Sequence, residues 1–481
     1  MNNMRKIFLI VSVFVLQHIS AAPETASLPF YYYEPTHSYY LDSEAGNDEA
    51  TGESPEQAWK TIARLGRNNQ SAGATVFFKR GGLWRETLYP CNGVVYDAYG
   101  TGNKPILQLS VSRNQSTDWK PLGGNVWETT SDKLAEMNDV GNIIFDHGKK
   151  VGFKRWEPNE LVENFDFWFD RTTKRVLLYC EQNPAQSFAS IELVVRGDNA
   201  IGAIIHTDIN KVIIRNLCIR YSSYGINGDH AKDVLVEDCD FSYIGGTWMG
   251  ANYSPNNVRS GNGIEWWDSA SDYTVQRCRF SEIYDVALSP QGYANAGAFR
   301  NIIIRDCMIW NCEQAFEYWR KGSGAPTENV VFEHNTCVDA GYGWAHKQQF
   351  YQGVEYACHF LSYNVSLADK VDITLRNNIF CKSANHGIRM SVDWRTGVKL
   401  YNNLWYQPPG ENFLFFEGAD KYKTEQFNTY LSEFGIETNS IMAEPEFVNP
   451  ANRDYRLAPN SPGLNAASDG DMVGARYPFR N

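Results

Sequence analysis

From about residue 200 to 405 the chain repeats one pattern of apolar and polar positions seven times. Val212–Ile219, Val234–Phe241, Tyr273–Phe280, Ile302–Ile309, Val330–Cys337, Ile373–Phe380 and Val398–Trp405 each carry an alternating apolar run, a polar corner and a return to apolar residues. Period-two alternation marks a strand with one buried face. Recurrence of one short unit marks a solenoid whose coils pack only on their neighbours. The equivalent positions Arg215, Glu237, Gln276, Arg305, Glu333, Arg376 and Tyr401 step by 22, 39, 29, 28, 43 and 25 residues. The shortest step is close to one β-helix coil, and the longer ones put inserted loops on particular faces. The expected fold is all-β, a right-handed parallel β-helix with its regular coils over 201–405.

The position after each of those is Asn216, Asp238, Arg277, Asp306, His334, Asn377 and Asn402. It predicts a ladder of polar turns whose side chains satisfy corner backbone groups, with His334 structural. The following position carries Cys239, Cys278 and Cys307 in successive coils. Alternation points these thiols inward, and a coil spacing of ~4.8 Å is slightly too long for a relaxed bridge between parallel Cβ vectors. The ten cysteines therefore suggest a stack of buried thiols rather than a disulfide framework.

The flanks differ from the coils. Residues 23–104 hold Tyr39–Ser43, a Gly46-Asn47-Asp48 turn and a short helical stretch near Ser54–Ile62. Such an element suits a cap over the unpaired edge of a terminal coil. Residues 105–200 contain strand-like runs at Asn125–Glu128, Phe165–Asp170 and Arg175–Cys180, read as an inserted β subdomain or irregular coils. Residues 406–481 end in short turns that finish the solenoid.

Composition changes this picture little. The chain has 481 residues, 43% apolar and 21% charged, which argues against large-scale disorder. A net charge of −12 excludes nucleic acid and anionic membrane as partners of the whole surface. A locally basic groove for an acidic polysaccharide stays open. Arg5 and Lys6, the apolar run Ile7–Leu16 and Ser20-Ala21-Ala22 read as a signal peptide over 1–22. The run is too short to span a bilayer, so a soluble periplasmic or secreted protein is expected, and a monomer.

The Gly46-Asn47-Asp48…Ser54-Pro55…Ala58-Trp59-Lys60-Thr61-Ile62 start, the coils of the type Val234-Leu-Val-Glu-Asp-Cys-Asp-Phe241, and the Glu444-Pro-Glu-Phe-Val-Asn-Pro450…Asp454-Tyr-Arg-Leu457…Ser461-Pro-Gly463 ending resemble the right-handed β-helix carbohydrate-active enzymes of bacteria. That superfamily holds pectate, alginate and chondroitin-B-type lyases and several glycoside hydrolase families. The resemblance implies a fold far more firmly than a reaction.

A second strand follows each ladder corner, with aligned pieces Gly225-Ile226-Asn227, Gly263-Ile264-Glu265, Val286-Ala287-Leu288, Ala315-Phe316-Glu317, Gly343-Trp344-Ala345 and Gly387-Ile388-Arg389. With the apolar member inward, the outward column reads Asn227, Glu265, Leu288 (or Ala287), Glu317, Ala345 and Arg389. Two residues on, it continues as Asp229, Trp267, Pro290, Trp319, Lys347 and Ser391, with Trp266 facing the core. Loops beside it bring Asp268, Arg320, Lys321, His346, His386, Asp393 and Arg395. Long insertions at 244–262 and 350–371 would wall that face. Carboxylates, aromatic rings and cations on one face suit a polysaccharide groove. There Trp267 and Trp319 stack on sugars, and Asp268, His386, Asp393 and Arg395 line the substrate.

The expected function is a polysaccharide lyase, with a glycoside hydrolase and a non-catalytic glycan-binding β-helix as alternatives. In a lyase acting on a uronate-containing glycan, His346 or Lys347 is the base and Arg389 or Arg320 the stabiliser. The resemblance to chondroitin-B-like and alginate lyases implies that Asn227, Glu265 and Glu317 hold Ca²⁺. In a glycoside hydrolase, Glu265 and Glu317 form the carboxylate pair. In a non-catalytic glycan-binding β-helix, the same wall binds without turnover.

Overall fold

The computed structural model describes residues 36–66, 70–130, 132–198, 201–250, 258–349, 356–363, 370–390, 397–416 and 421–476. The signal-peptide segment lies outside them, as do Ser391, Asp393, Arg395 and parts of both long insertions. Among the described residues no helix is long and apolar enough to cross a membrane.

The repeat folds as read: an all-β parallel β-helix. From Cys218 onward the chain visits three walls in fixed order, and each visit pairs in parallel with the previous one. Cys218–Arg220 and Asp240–Ile244 pair on one wall. The two halves of Tyr224–Glu237 pair with the two halves of Ile264–Gln276 on the other two walls, with the register breaking between Asp229 and Ala231. Val286–Tyr293 and Gln314–Lys321 continue the first wall, and Phe299–Arg305 and Thr327–Glu333 the second. Arg279–Ile283, Met308–Trp310 and Thr336–Ala340 continue the third. The last coils close with Asn412–Phe416, Glu437–Thr438 and Ile441–Met442, beside the helix Phe427–Phe434.

The corner between the second and third walls explains the polar ladder. Asn216, Asp238, Arg277, Asp306, His334, Asn377 and Asn402 all have φ between 50 and 61°. This is the left-handed region, which Asn and Asp tolerate best. Behind it Cys239, Cys278 and Cys307 are buried, and all ten cysteines are free. In the next three coils the inward position switches to Asn335, Asn378 and Asn403, each of which donates its side-chain amide to a backbone carbonyl: of Ile304, Phe332 and Leu375. Aromatic rings stack along the same interior, Phe316 between Phe332 and Phe360 at 5.1 and 5.7 Å. Trp266 is fully buried against Tyr273, as its inward position requires.

At the N-terminus His37–Leu41 pairs with Ala74–Lys79, Trp59 stacks on Tyr39, and the helical stretches are single 3₁₀ turns at Pro55–Gln57 and Ala63–Leu65. The insertion folds as mostly antiparallel strands around its own core. Ser110–Ser112, Met137–Phe145, Lys150–Val151 and Ile191–Gly197 form one sheet, and Trp119–Gly123, Val126–Thr129, Phe153–Lys154, Asp166–Asp170 and Arg175–Tyr179 the other. Its first expected residues belong elsewhere, because Ile106–Gln108 pairs with Cys218–Arg220 as a coil strand.

Two histidines sit inside the helix. His359 packs 5.5 Å from Phe380, and neither its ring nitrogens nor those of His206 find a partner among the described residues. Burial holds both rings neutral, pushing His359 down to about 3 and His206 to about 4. The unfolded chain binds these protons below about pH 6.5, whereas the folded chain does not. Their contribution is thus intact above about 6.5 and is lost as pH falls toward the folded values. For His359 the loss is on the order of 4 kcal/mol. Urea unfolding of His359→Leu is expected to depend less on pH between 6.5 and 4 than the unaltered chain, and parallel curves would refute this.

Candidate active site

The first wall carries one outward column whose register is fixed by the backbone pairing. Ile205, Asn227, Glu265 and Ser289 are successive partners. Leu288 pairs with Phe316, which puts Ser289 beside Glu317. Glu317, Leu361, Arg389 and Phe415 complete the column. Glu265 and Glu317 therefore sit two rungs apart on one wall, with Arg389 two rungs further on.

Four positions of the expected column change. Leu288 is fully buried, so Ser289 takes its place. Gln291, not Pro290, joins Trp267 and Trp319 in the next column. Ala345 and Lys347 are not on the wall: the coil's strand is Cys358–Tyr363, which supplies Leu361 and Tyr363. Gly343-Trp344-Ala345 imitates the apolar pattern but lies in the loop before it, and His346–Gln348 is a 3₁₀ turn.

Glu265 is only 5% exposed. Its Oε1 accepts from Asn227 Nδ2 at 2.6 Å, and its Oε2 from Asn262 Nδ2 at 2.5 Å and Gln291 Nε2 at 2.7 Å. Burial outweighs these donors and, with the charge of Asp285, raises the carboxyl to about 8. Glu317, 9% exposed, receives one donor, Ser289 Oγ at 2.9 Å. Burial, then Asp285, and more weakly Glu265, raise it to about 8 as well. Asp285, at the corner just before Val286–Tyr293, is raised to about 7 by burial and by Glu313. Glu313 occupies the same corner one rung on and is fully buried. Burial raises it too, against His346, whose Nδ1 lies 3.1 Å from Oε1.

Beside the carboxylates lies an aromatic platform. Trp267 and Trp319 stack at 5.9 Å and 21°, and the exposed Tyr293 sets its edge against both. Arg389 is held in its column between the rings of Tyr356 and Phe415, at 4.2 and 5.2 Å.

Other expected residues have different places. Arg320 is buried over Phe299 and donates to the backbone carbonyls of Asp268, Gly297 and Ala325, so it pins a corner instead of facing a ligand. His386 is buried and stacks on Phe415. Asp268 turns the wall at φ 62° and accepts from Tyr293 N. Lys347 is exposed on the 3₁₀ turn, and His346 reaches Glu313 rather than the column.

The calcium set fits this geometry poorly. A calcium ion needs six to eight oxygen ligands. Here Asn227 directs an N–H donor at Glu265, and both Glu265 oxygens are taken up by amide donors. Among the described residues no three His, Cys, Asp or Glu side chains converge to hold a metal, and no step below is routed through one.

Sequence reasoning missed Asp285, Glu313, Ser289, Asn262 and Gln291. It also missed Arg196, which reaches from the inserted unit toward Ser260 and Tyr224 and lowers Glu265 electrostatically.

The fold and this wall together define a parallel β-helix bearing a cluster of proton-holding carboxyls beside an aromatic platform. No protein-family model matches the chain, and no curated protein does. Among solved structures it is similar to pectate lyase Pel9A, at 11% identity over 92% of this chain and 97% of that one, TM-score 0.45. It is also similar to XylC in complex with xylose, at 11% over 80% and 86%, TM-score 0.42. A third is the GH136 lacto-N-biosidase from Eubacterium ramulus, at 14% over 79% and 65%, TM-score 0.41.

Proposed function

We propose that this chain cleaves a polysaccharide laid along the first wall, by hydrolysis of a glycosidic bond between Glu265 and Glu317. The observation that carries this reading is the pair itself: two buried glutamates in one outward column, two rungs apart, both raised to about 8. Two rungs separate the backbones by about 9–10 Å, within reach of the about 6.5–9.5 Å carboxyl spacing of inverting hydrolases. Glu317, with a single hydroxyl donor, keeps its proton and serves as the acid. Glu265, whose ionised form is held by three amide donors, activates water as the base. Asp285 ionises first, and its charge keeps protons on the glutamates. Trp267, Trp319 and Tyr293 hold sugar rings beside the scissile bond.

The three carboxyls titrate as a coupled set. Activity should rise as the second proton leaves and fall as the third leaves, a narrow bell around the value of about 8. A profile flat across that region would count against the assignment. The direct experiment is a glycan panel with products read by mass: hydrolysis adds one water to the products and elimination does not.

A second reading, β-elimination on a uronate-containing glycan, draws on Arg389 in the column and on His346 paired with Glu313. The ion pair raises the imidazole, which weakens it as a base at neutral pH and places this reading second. Unsaturated products would favour it. Binding with no turnover on any glycan would leave a non-catalytic glycan-binding protein.

A further inference from the structure

On the third wall, away from the carboxylates, a cleft of about 540 Å³ opens between the coils and the hairpin of Phe447–Asn449 and Asp454–Leu457. Its floor is the outward face of Asp240–Ile244, Arg279–Ile283 and Met308–Trp310; its rim is the segment Asn452–Arg456. The volume falls within the about 300–1,000 Å³ of small-ligand sites.

The charges in this cleft are unequal. Arg279 grips Asp240 through Nε and Nη2 at 2.6 and 2.9 Å. Arg456 grips Asp454 through Nε and Nη2 at 2.7 and 2.5 Å. Both carboxylates are thereby committed. Lys104, beside the cleft, adds a further cation 3.0 Å from Asp240. The third lining guanidinium, Arg453, makes no ion pair among the described residues and lies 5.4 Å over the ring of Trp310. Trp310 Nε1 is a buried donor with no partner among the described residues. A buried donor is costly to leave unmade, and a guanidinium on an indole face still presents its N–H edge to a carboxylate. In a chain of net charge −12, this is a local cationic surplus with two unspent donors and an aromatic surface.

We infer that this cleft is a second carbohydrate-binding site, specific for a sugar bearing a carboxylate. Arg453 takes the carboxylate, Trp310 Nε1 donates to a ring or hydroxyl oxygen, and the Arg279 guanidinium donates to the remaining hydroxyls. The site needs nothing from Glu265 or Glu317, so it stands whether or not the first wall is catalytic.

Calorimetric titration with glucuronic acid, glucose and inorganic phosphate tests it. Glucuronic acid should bind, with glucose and phosphate at least 10-fold weaker. Arg453→Gln and Trp310→Phe should each weaken glucuronic acid at least 10-fold, and Arg453→Lys should restore part of the loss. Arg453 is exposed, so its exchange leaves the coil intact, and Trp310→Phe keeps an aromatic ring in place. A Trp267→Ala/Trp319→Ala variant should bind at this cleft undiminished. The inference is overturned if Arg453→Gln binds like the unaltered chain. It is equally overturned if glucose or phosphate binds as tightly, or if binding is lost only in the first-wall variant.

Discussion

Glu317→Gln is expected to lower kcat by about 10²–10⁴-fold on a cleaved glycan, with KM changed by only a few-fold. The amide keeps the side chain's shape and still accepts from Ser289, so the fold should hold or gain slightly as a buried ionisable group disappears. Glu265→Gln should depress turnover similarly, yet its effect on stability should differ. Glu265 accepts from Asn227, Asn262 and Gln291, and an amide there turns its own N–H₂ toward at least one of those donors. The mismatch should cost about 1–3 kcal/mol. Equal stabilities, or retained turnover in Glu317→Gln, would break the role assignment.

The largest loss of stability is expected at the junction between the inserted unit and the coils. Lys154 is buried, with Nζ 2.5 Å from Asp139 Oδ2 and 2.6 Å from the Val140 carbonyl. The same Asp139 oxygen accepts from Trp248 N, and Lys154 N donates to Gln348 Oε1. One buried ion pair thus ties the inserted strands to Thr247–Trp248, which pairs with Arg259–Ser260, and to the 3₁₀ turn that carries His346. Lys154→Met strips the nearer cation from a buried carboxylate, leaving only Arg171 at 3.7 Å from its other oxygen, and should cost about 3–5 kcal/mol in denaturant unfolding. The double variant Lys154→Met/Asp139→Leu should recover most of it, since matched apolar groups replace a buried pair at little cost. A single variant within about 1 kcal/mol of the parent would mean that solvent reaches the pair.

Much of the winding was legible because one position per coil is both polar and sterically special. Asn216 and Asn402 can take a left-handed turn, and the residue after each faces the core, so phase and inward direction could be read together. Glu265, Glu317, Arg389, Trp267 and Trp319 followed from that phase. The reading slipped wherever a loop reset the phase. Gly343-Trp344-Ala345 copies the small-apolar-small signature of a wall strand, but the strand begins at Cys358. In Val286-Ala287-Leu288 all three residues face inward or pack at a corner, which hides that Ser289 is the outward one. Asp285 and Glu313 were missed because they sit at corners, outside the alternation. Both directly precede the strand that follows, and that shared offset was the available signal.

The left-handed corner has a consequence for how this scaffold can diversify. From Asn216 to Asn402 the turn between the second and third walls keeps the same tight length. Every insertion among the coils from Cys218 to Leu404 falls at one of the other two corners, which border the wall bearing Glu265 and Glu317. Segments can therefore lengthen, shorten or be grafted on either bank of that wall while the frame beneath is untouched, so new substrate preferences can arise without refolding the spine.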